Sequence, residues 1–264
     1  MEELKNKNIF PAIIVTAPDA PSGRNLILSS SPAKIWAQKN KIPVLEVASF
    51  KEIPLILTES DWDFFVVAAY NFIIPKQILD IPKHGTLNIH PSLLPKLRGP
   101  SPIRSAILLD LKDVVGVSVI LLDEKVDHGP IISQKRVQPP IWPVRGRVLD
   151  EILFREGGRL LAEIIPSWLK GEIVAKKQDE AEVTFSKKFK KSDGLIDLND
   201  NPYKNYLKFC AFDIWPRIYF IKNNKRVIIT DAEFKNKEFI IKKVLPEGKK
   251  EISYKDFLKT NTWM

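Results

Sequence analysis

The sequence predicts an α/β protein with a mostly parallel sheet, followed by a small β-rich domain. Three observations carry this. Short apolar segments alternate with helical patterns as far as residue 169, the signature of strand–helix–strand units. The segment at residues 86–90 alternates apolar and polar side chains and stops at Pro91, as a half-buried strand entering a loop does. Beyond Gly171 the chain turns polar and lysine-rich, then strand-like again.

Taken in order, residues 10–16 read as a short buried strand running into a turn-rich loop, 17–25, with Arg24 at its tip. Ser31-Pro32 supplies a cap and a proline at the first helical position, so a helix runs to about Asn40. Residues 42–47 form a strand and 51–59 are helical. Residues 64–69 form an apolar run of the kind that a parallel strand covered on both faces shows. A short helix near residues 75–79 precedes the strand at 86–90. Ser101-Pro102 is a second cap-plus-proline start, for a helix through Leu109. Strands follow at 115–122 and 131–137. Leu149, Ile152, Leu153, Leu160, Ile164 and Trp168 then fall at spacings that make 148–169 an amphipathic helix. Residues 1–172 are therefore expected as one domain and 173–201 as a basic linker. Residues 202–264 form a small domain with a helix at 203–212 and strands at 217–221, 226–230 and 238–244.

With 264 residues, 44% of them hydrophobic and 28% charged, the chain has the composition of an ordinary globular protein. No apolar run approaches the roughly 20 residues that a membrane span needs. The N-terminus has no apolar signal core, and a single cysteine, Cys210, excludes an internal disulfide. A cytoplasmic location is expected. The excess of 41 basic over 32 acidic residues, a net charge of +9, suits a polyanionic partner but equally a lysine-rich composition bias.

Asn88 and His90 share one face at the exit of their strand, where open α/β sheets place their chemistry. The plain alternative is a strand edge with two polar residues. His84, His90 and His128 match no zinc spacing, so no metal is expected. Ser92 lacks the context of a nucleophile elbow. Asp127, two residues before Gly129, would by itself be a turn residue.

Asn88-Ile89-His90-Pro91-Ser92-Leu93-Leu94-Pro95, followed by Arg98-Gly99-Pro100-Ser101-Pro102-Ile103, resembles the signature of the 10-formyltetrahydrofolate-dependent formyltransferases. Val126-Asp127-His128-Gly129-Pro130-Ile131-Ile132 resembles the second signature of that family, which carries its catalytic aspartate. Pro18–Arg24 with Ser31–Lys34, Thr184–Lys188 and Ala211–Pro216 are similar to the tRNA-facing loop, linker and second domain of the branch that formylates methionyl-tRNA. The resemblance implies a Rossmann-like formyltransferase sheet with an OB-like C-terminal domain. It implies formyl transfer from 10-formyltetrahydrofolate to initiator methionyl-tRNA, by a monomer and without a membrane. Asn88 and His90 would stabilise an oxyanion, with Asp127 raising the His90 pKa and assisting proton transfer. Ser92, Leu93, Leu94 and Pro95 would line the folate pocket. Arg24, Lys34, Lys187 and Lys188 would meet the tRNA. An amino sugar nucleotide or glycinamide ribonucleotide remains open as acceptor, as does an inactive tRNA-binding relative. Three regions depart from the pattern. Nine residues precede the strand at 10–16, where family members carry a strand, a glycine-containing loop and a helix, which implies either a start assigned too late or an altered sheet without activity. Asn71 stands where glycine is usual, and residues 139–147 fit poorly.

Overall fold

A computed structural model describes residues 1–22, 27–50, 54–70 and 72–259. Arg24 and Asn71 lie outside the described residues. The first elements are α1 (Glu2–Lys5), β1 (Ile14–Thr16), the antiparallel pair β2 (Ala20–Ser22) and β3 (Ile27–Ser29), α2 (Pro32–Lys39) and β4 (Val44–Glu46). Ser31 caps α2 as its sequence predicts, with Oγ accepting the Lys34 N–H at 3.1 Å. α3 (Leu55–Thr58), β5 (Phe65–Val67), α4 (Lys76–Leu79) and β6 (Thr86–His90) follow. Then come α5 (Pro102–Leu108), β7 (Gly116–Leu121), β8 (Ile131–Arg136) and α6 (Gly146–Leu169).

The α/β class is as expected, but the sheet is mixed. β5 and β6 pair in parallel, whereas β6–β7 and β7–β8 are antiparallel. α5 returns the chain beside β6 without a crossover, and the loop 122–130 turns β7 directly into β8, so both pairs run antiparallel. β1 pairs with β4 in a second, parallel sheet, and the described residues contain no pairing between β1 and β5. Among the described residues β5 therefore has one strand partner, β6, and Val66 remains 39% exposed instead of covered on both faces.

The second half contains α7 (Pro202–Ala211), β9 (Tyr219–Lys222), β10 (Lys225–Lys235), β11 (Glu238–Pro246), β12 (Ile252–Ser253) and α8 (Tyr254–Lys259). The four strands form one antiparallel sheet in the order β12-β11-β10-β9. Asn223 and Asn224 both adopt left-handed backbone (φ 49° and 57°), which closes the β9–β10 hairpin in the sense that two-residue turns favour. A small domain of this size gains from borrowed core. Here one buried cluster runs from Leu87, Val117 and Leu153 through Phe209, Phe212 and Ile218 to Val227 and Val244.

Residues 173–201, expected as a basic linker, are docked rather than free of the rest of the chain. They form a strap laid on the first domain and held also by the second, where buried Phe189 meets the ring of Phe212 at 5.1 Å between centroids. Polar pairing makes the rest of the dock. Ile131 and Lys176 exchange main-chain hydrogen bonds at 2.7 and 2.8 Å, and Arg98 bridges to Phe185 in parallel. Lysine-rich composition suggested a solvated segment because hydrogen bonds of this kind leave no hydrophobic period to read.

α6 backs the strand that carries the polar pair. A Cβ built on Gly157 would lie 2.5 Å from Cγ2 of Ile89, which sits between Asn88 and His90. Gly157→Ala should therefore destabilise the protein by about 1–3 kcal/mol through overpacking, although alanine by itself favours a helix. Urea unfolding midpoints test this, and an unchanged or higher midpoint would contradict the close packing of α6 on β6.

Candidate active site

β6 has all five residues buried, with Leu87 and Ile89 turned into the core. Asn88 pairs across to Val67 of β5 and Ile120 of β7, and His90 lies opposite Ser118 of β7. The loop 122–130 brings Asp127 to the same place. Its carboxylate accepts the Gly99 N–H at 2.8 Å, lies 3.4 Å from the Asn88 amide nitrogen and 3.5 Å from His90 Nδ1. Asn88, His90 and Asp127, separated by up to 39 residues in sequence, thus meet in space.

Local backbone explains the aim of each group. Asp127 sits at φ 48°, a left-handed bend that aspartate tolerates better than most residues. Two residues on, a Cβ on Gly129 would lie 1.8 Å from the Leu121 carbonyl oxygen, so only glycine lets this loop close against β7. Leu97 also adopts positive φ (62°), at a cost of roughly 1–2 kcal/mol. That bend turns its carbonyl to His90 Nε2, 3.0 Å away. A carbonyl only accepts, so Nε2 carries the hydrogen, and in a neutral ring Nδ1 turns its lone pair towards Asp127.

Asp127 does raise the His90 pKa, as expected, but the net shift is downward. Burial of the ring lowers it below the ordinary 6.5 and outweighs the opposing pull of the Asp127 carboxylate and the Leu97 carbonyl. The resting imidazole is neutral at pH 7. Because the folded pKa is depressed, this group's contribution to stability is present above about pH 6.5 and lost as pH falls through the folded pKa. Denaturant midpoints of the native protein should drop below pH 6.5 more steeply than those of His90→Gln. Superimposable profiles would contradict a buried neutral imidazole.

The loop after His90 is a packed corner rather than an open wall. Ser92 and Leu94 are buried. Ser92 Oγ donates to the Lys96 carbonyl at 2.7 Å. The Leu93 N–H goes to Val114, the Leu94 N–H to Ser118 Oγ, and the Leu94 carbonyl accepts from Gln134. The main-chain groups of Leu93 and Leu94 are therefore engaged within the protein. Half-buried Leu93 and Pro95 present the remaining surface. An open cleft of about 220 Å³ lies beside the Asp127 loop, between α4 and residues 122–125.

Of the cations expected to meet nucleic acid, Lys187 and Lys188 are exposed, with Lys187 Nζ 3.3 Å from Asp193. Lys34 is paired within the protein. Its ammonium lies between Asp19, at 3.0 Å, and Glu46, with only 14% of the side chain exposed. Ser101 is a correction: it makes no side-chain cap for α5, and its N–H is taken by Ser186 Oγ at 3.0 Å.

Sequence patterns also missed what surrounds Asp127. Gln178 of the strap, 9% exposed, donates its amide hydrogens to the carbonyls of Asp127 and Gly129, both at 2.8 Å. Arg98, 3% exposed, donates Nε–H to Gln178 Oε1 at 3.0 Å and grips Glu180 with both terminal nitrogens. Arg98 stood in a recognisable motif, but no spacing pointed to Gln178. Among the described residues no cluster of three or more histidine, cysteine, aspartate or glutamate side chains could hold a metal ion, and no helix is long and apolar enough to cross a membrane.

Residues 1–143 match the protein family described as formyl transferase. A methionyl-tRNA formyltransferase of Chloroflexus aurantiacus is 40% identical over 208 residues, 78% of this chain and 66% of that protein, so the chain spans just under two thirds of its length. One from Chloroflexus aggregans is 40% identical over 221 residues, 83% of this chain and 71% of its own. The solved methionyl-tRNA formyltransferase from Clostridium thermocellum shares the fold, with a TM-score of 0.61 over 89% of this chain and 99% of that one at 19% identity.

Proposed function

Because the chain belongs to the formyl transferase family, we propose that it transfers the formyl group of 10-formyltetrahydrofolate to the amino group of initiator methionyl-tRNA. The observation that carries this is the meeting of Asn88, His90 and Asp127 around one point at the end of β6. The methionyl-tRNA formyltransferases at 40% identity favour tRNA as acceptor. The exposed Lys187 and Lys188 suit its phosphates, as Arg24 does by resemblance.

The reaction joins an amine nitrogen to the formyl carbon and breaks the bond from that carbon to the folate nitrogen. The tetrahedral intermediate carries an oxyanion and surplus protons on the incoming nitrogen. Asn88 has two amide hydrogens; one faces Asp127 and the other serves the oxyanion. Asp127 and the lone pair of His90 Nδ1 form the acceptor for the amine's proton. Once it is taken up, Nδ1–H and the carboxylate attract each other, and the positive charge of the ring stabilises the oxyanion at short range while Asn88 donates to it. The same proton passes to the departing folate nitrogen, which leaves the formamide and tetrahydrofolate with all atoms accounted for. No covalent enzyme intermediate is needed.

On the donor side, Leu93 and Pro95 would offer apolar contact, while Ser92 and Leu94 would hold the corner rigid. A chain acting on charged tRNA would work in the cytoplasm. The acceptor assignment is tested by offering methionyl initiator tRNA, a nucleotide-linked amino sugar and glycinamide ribonucleotide with 10-formyltetrahydrofolate. The tRNA should be preferred by at least about 100-fold in kcat/KM. Preference for either small acceptor would overturn the assignment.

A further inference from the structure

We propose that Gln178 is a positioning residue for Asp127: its side-chain amide, oriented by Arg98, pins the carbonyls of Asp127 and Gly129 and so aims the Asp127 carboxylate at Asn88 and His90. The inference rests on the formyl-transfer reading of Asp127 and gives the strap a part in the chemistry.

The hydrogen bonds fix the amide without ambiguity. On one side stand two carbonyls, which only accept; on the other stands the Arg98 guanidinium, which only donates. A neutral carboxamide, with one acceptor forward and two hydrogens behind, satisfies all three. Glutamate would set oxygen against two carbonyls, and lysine would set a cation against Arg98. Each end of the chain of contacts is anchored. Arg98 is held by Glu180 at 2.7 and 3.3 Å, and its main-chain N–H and C=O bond to Thr184 and Ser186 of the strap. At the loop end, His128 Nδ1 lies 2.5 Å from Asp123 Oδ2, which ties the two halves of the bend together.

Gln178 does not approach the reacting groups themselves; its bonds end on main-chain oxygens. What they control is the bend at Asp127, with its left-handed φ of 48°. The carboxylate then has one close partner, the Gly99 N–H, and two at the limit of contact, Asn88 and His90. A small rotation of the bend would break the longer pair first.

Steady-state formyl transfer from 10-formyltetrahydrofolate to methionyl initiator tRNA tests this with Gln178→Met, Asp127→Asn and the double variant. Gln178→Met should lower kcat by about 10- to 100-fold, as misplacement of a reacting group by about 1 Å does, with KM for both substrates little changed. The double variant should be no slower than Asp127→Asn alone, because a displaced Asp127 has nothing further to lose. An unchanged kcat in Gln178→Met, or losses that multiply in the double variant, would overturn the positioning role. If Asp127→Asn transfers formyl as fast as the native chain, the catalytic role of Asp127 falls and the positioning role with it; if the native chain transfers none, the formyl-transfer reading itself falls. Should Gln178→Met fail to fold, Arg98→Lys carries the test. Lysine keeps a charge for Glu180 but cannot hold Gln178 Oε1 in the same way, and the same non-additivity with Asp127→Asn is required.

Discussion

Asp127→Asn should lower kcat for formyl transfer by about 10²–10⁴-fold, the range that a positioned acid–base group supplies. Asparagine keeps the size of the side chain and an oxygen for the Gly99 N–H, the closest partner of the Asp127 carboxylate at 2.8 Å. It removes the negative charge that lies 3.5 Å from His90 Nδ1. Without that charge the imidazole, already disfavoured as a cation by burial, has no partner when it takes up the amine's proton. The loss should therefore fall on kcat, with KM for donor and acceptor and the denaturant midpoint nearly unchanged. Steady-state kinetics beside an unfolding curve separates this from damage to the fold. A variant that retains full kcat would show that proton removal does not pass through Asp127.

Asn88→Ala should lower kcat by about 10²–10³-fold, the loss seen when one oxyanion donor is deleted. The neutral resting state of His90 makes this effect large, because Asn88 is the side chain of the pair that holds a hydrogen ready for the oxyanion before any proton has moved. The contact it loses in the resting site, 3.4 Å to Asp127, is long and contributes little to stability. Stopped-flow single-turnover measurement isolates the chemical step. A loss confined to KM would mean that Asn88 binds substrate and transition state alike, and would remove it from oxyanion stabilisation.

Where side chains alternate or cap, the sequence was a sound guide. Ser31-Pro32 starts α2, Leu87 and Ile89 face the core, and the Asn223-Asn224 pair closes its hairpin. Asn88 and His90 were legible as a pair from a period of two, and Asp127 only through the block around it. What escaped is conformation set by long-range polar bonds. Ser101 looks like a cap, but its amide is claimed by Ser186 from 85 residues away. Lys34 looks like a free cation, but the fold brings Asp19 and Glu46 to it. Residues 173–201 look like a solvated linker because Gln178, Thr184 and Ser186 dock through hydrogen bonds, which leave no mark in hydrophobic periodicity. The strand directions in the sheet depended on a helix that does not cross over, and sequence spacing does not encode that choice.

The central claim is that this chain moves a formyl carbon from folate to the amine of a charged tRNA at the site around Asn88, His90 and Asp127. Its most direct test supplies the purified chain with methionyl initiator tRNA and 10-formyltetrahydrofolate labelled in the formyl carbon. The aminoacyl bond is then hydrolysed and the released amino acid examined. The account predicts label in formylmethionine with the native chain, reduced by at least about 100-fold in Asp127→Asn. Tight binding of the tRNA with all label left on the folate would contradict it.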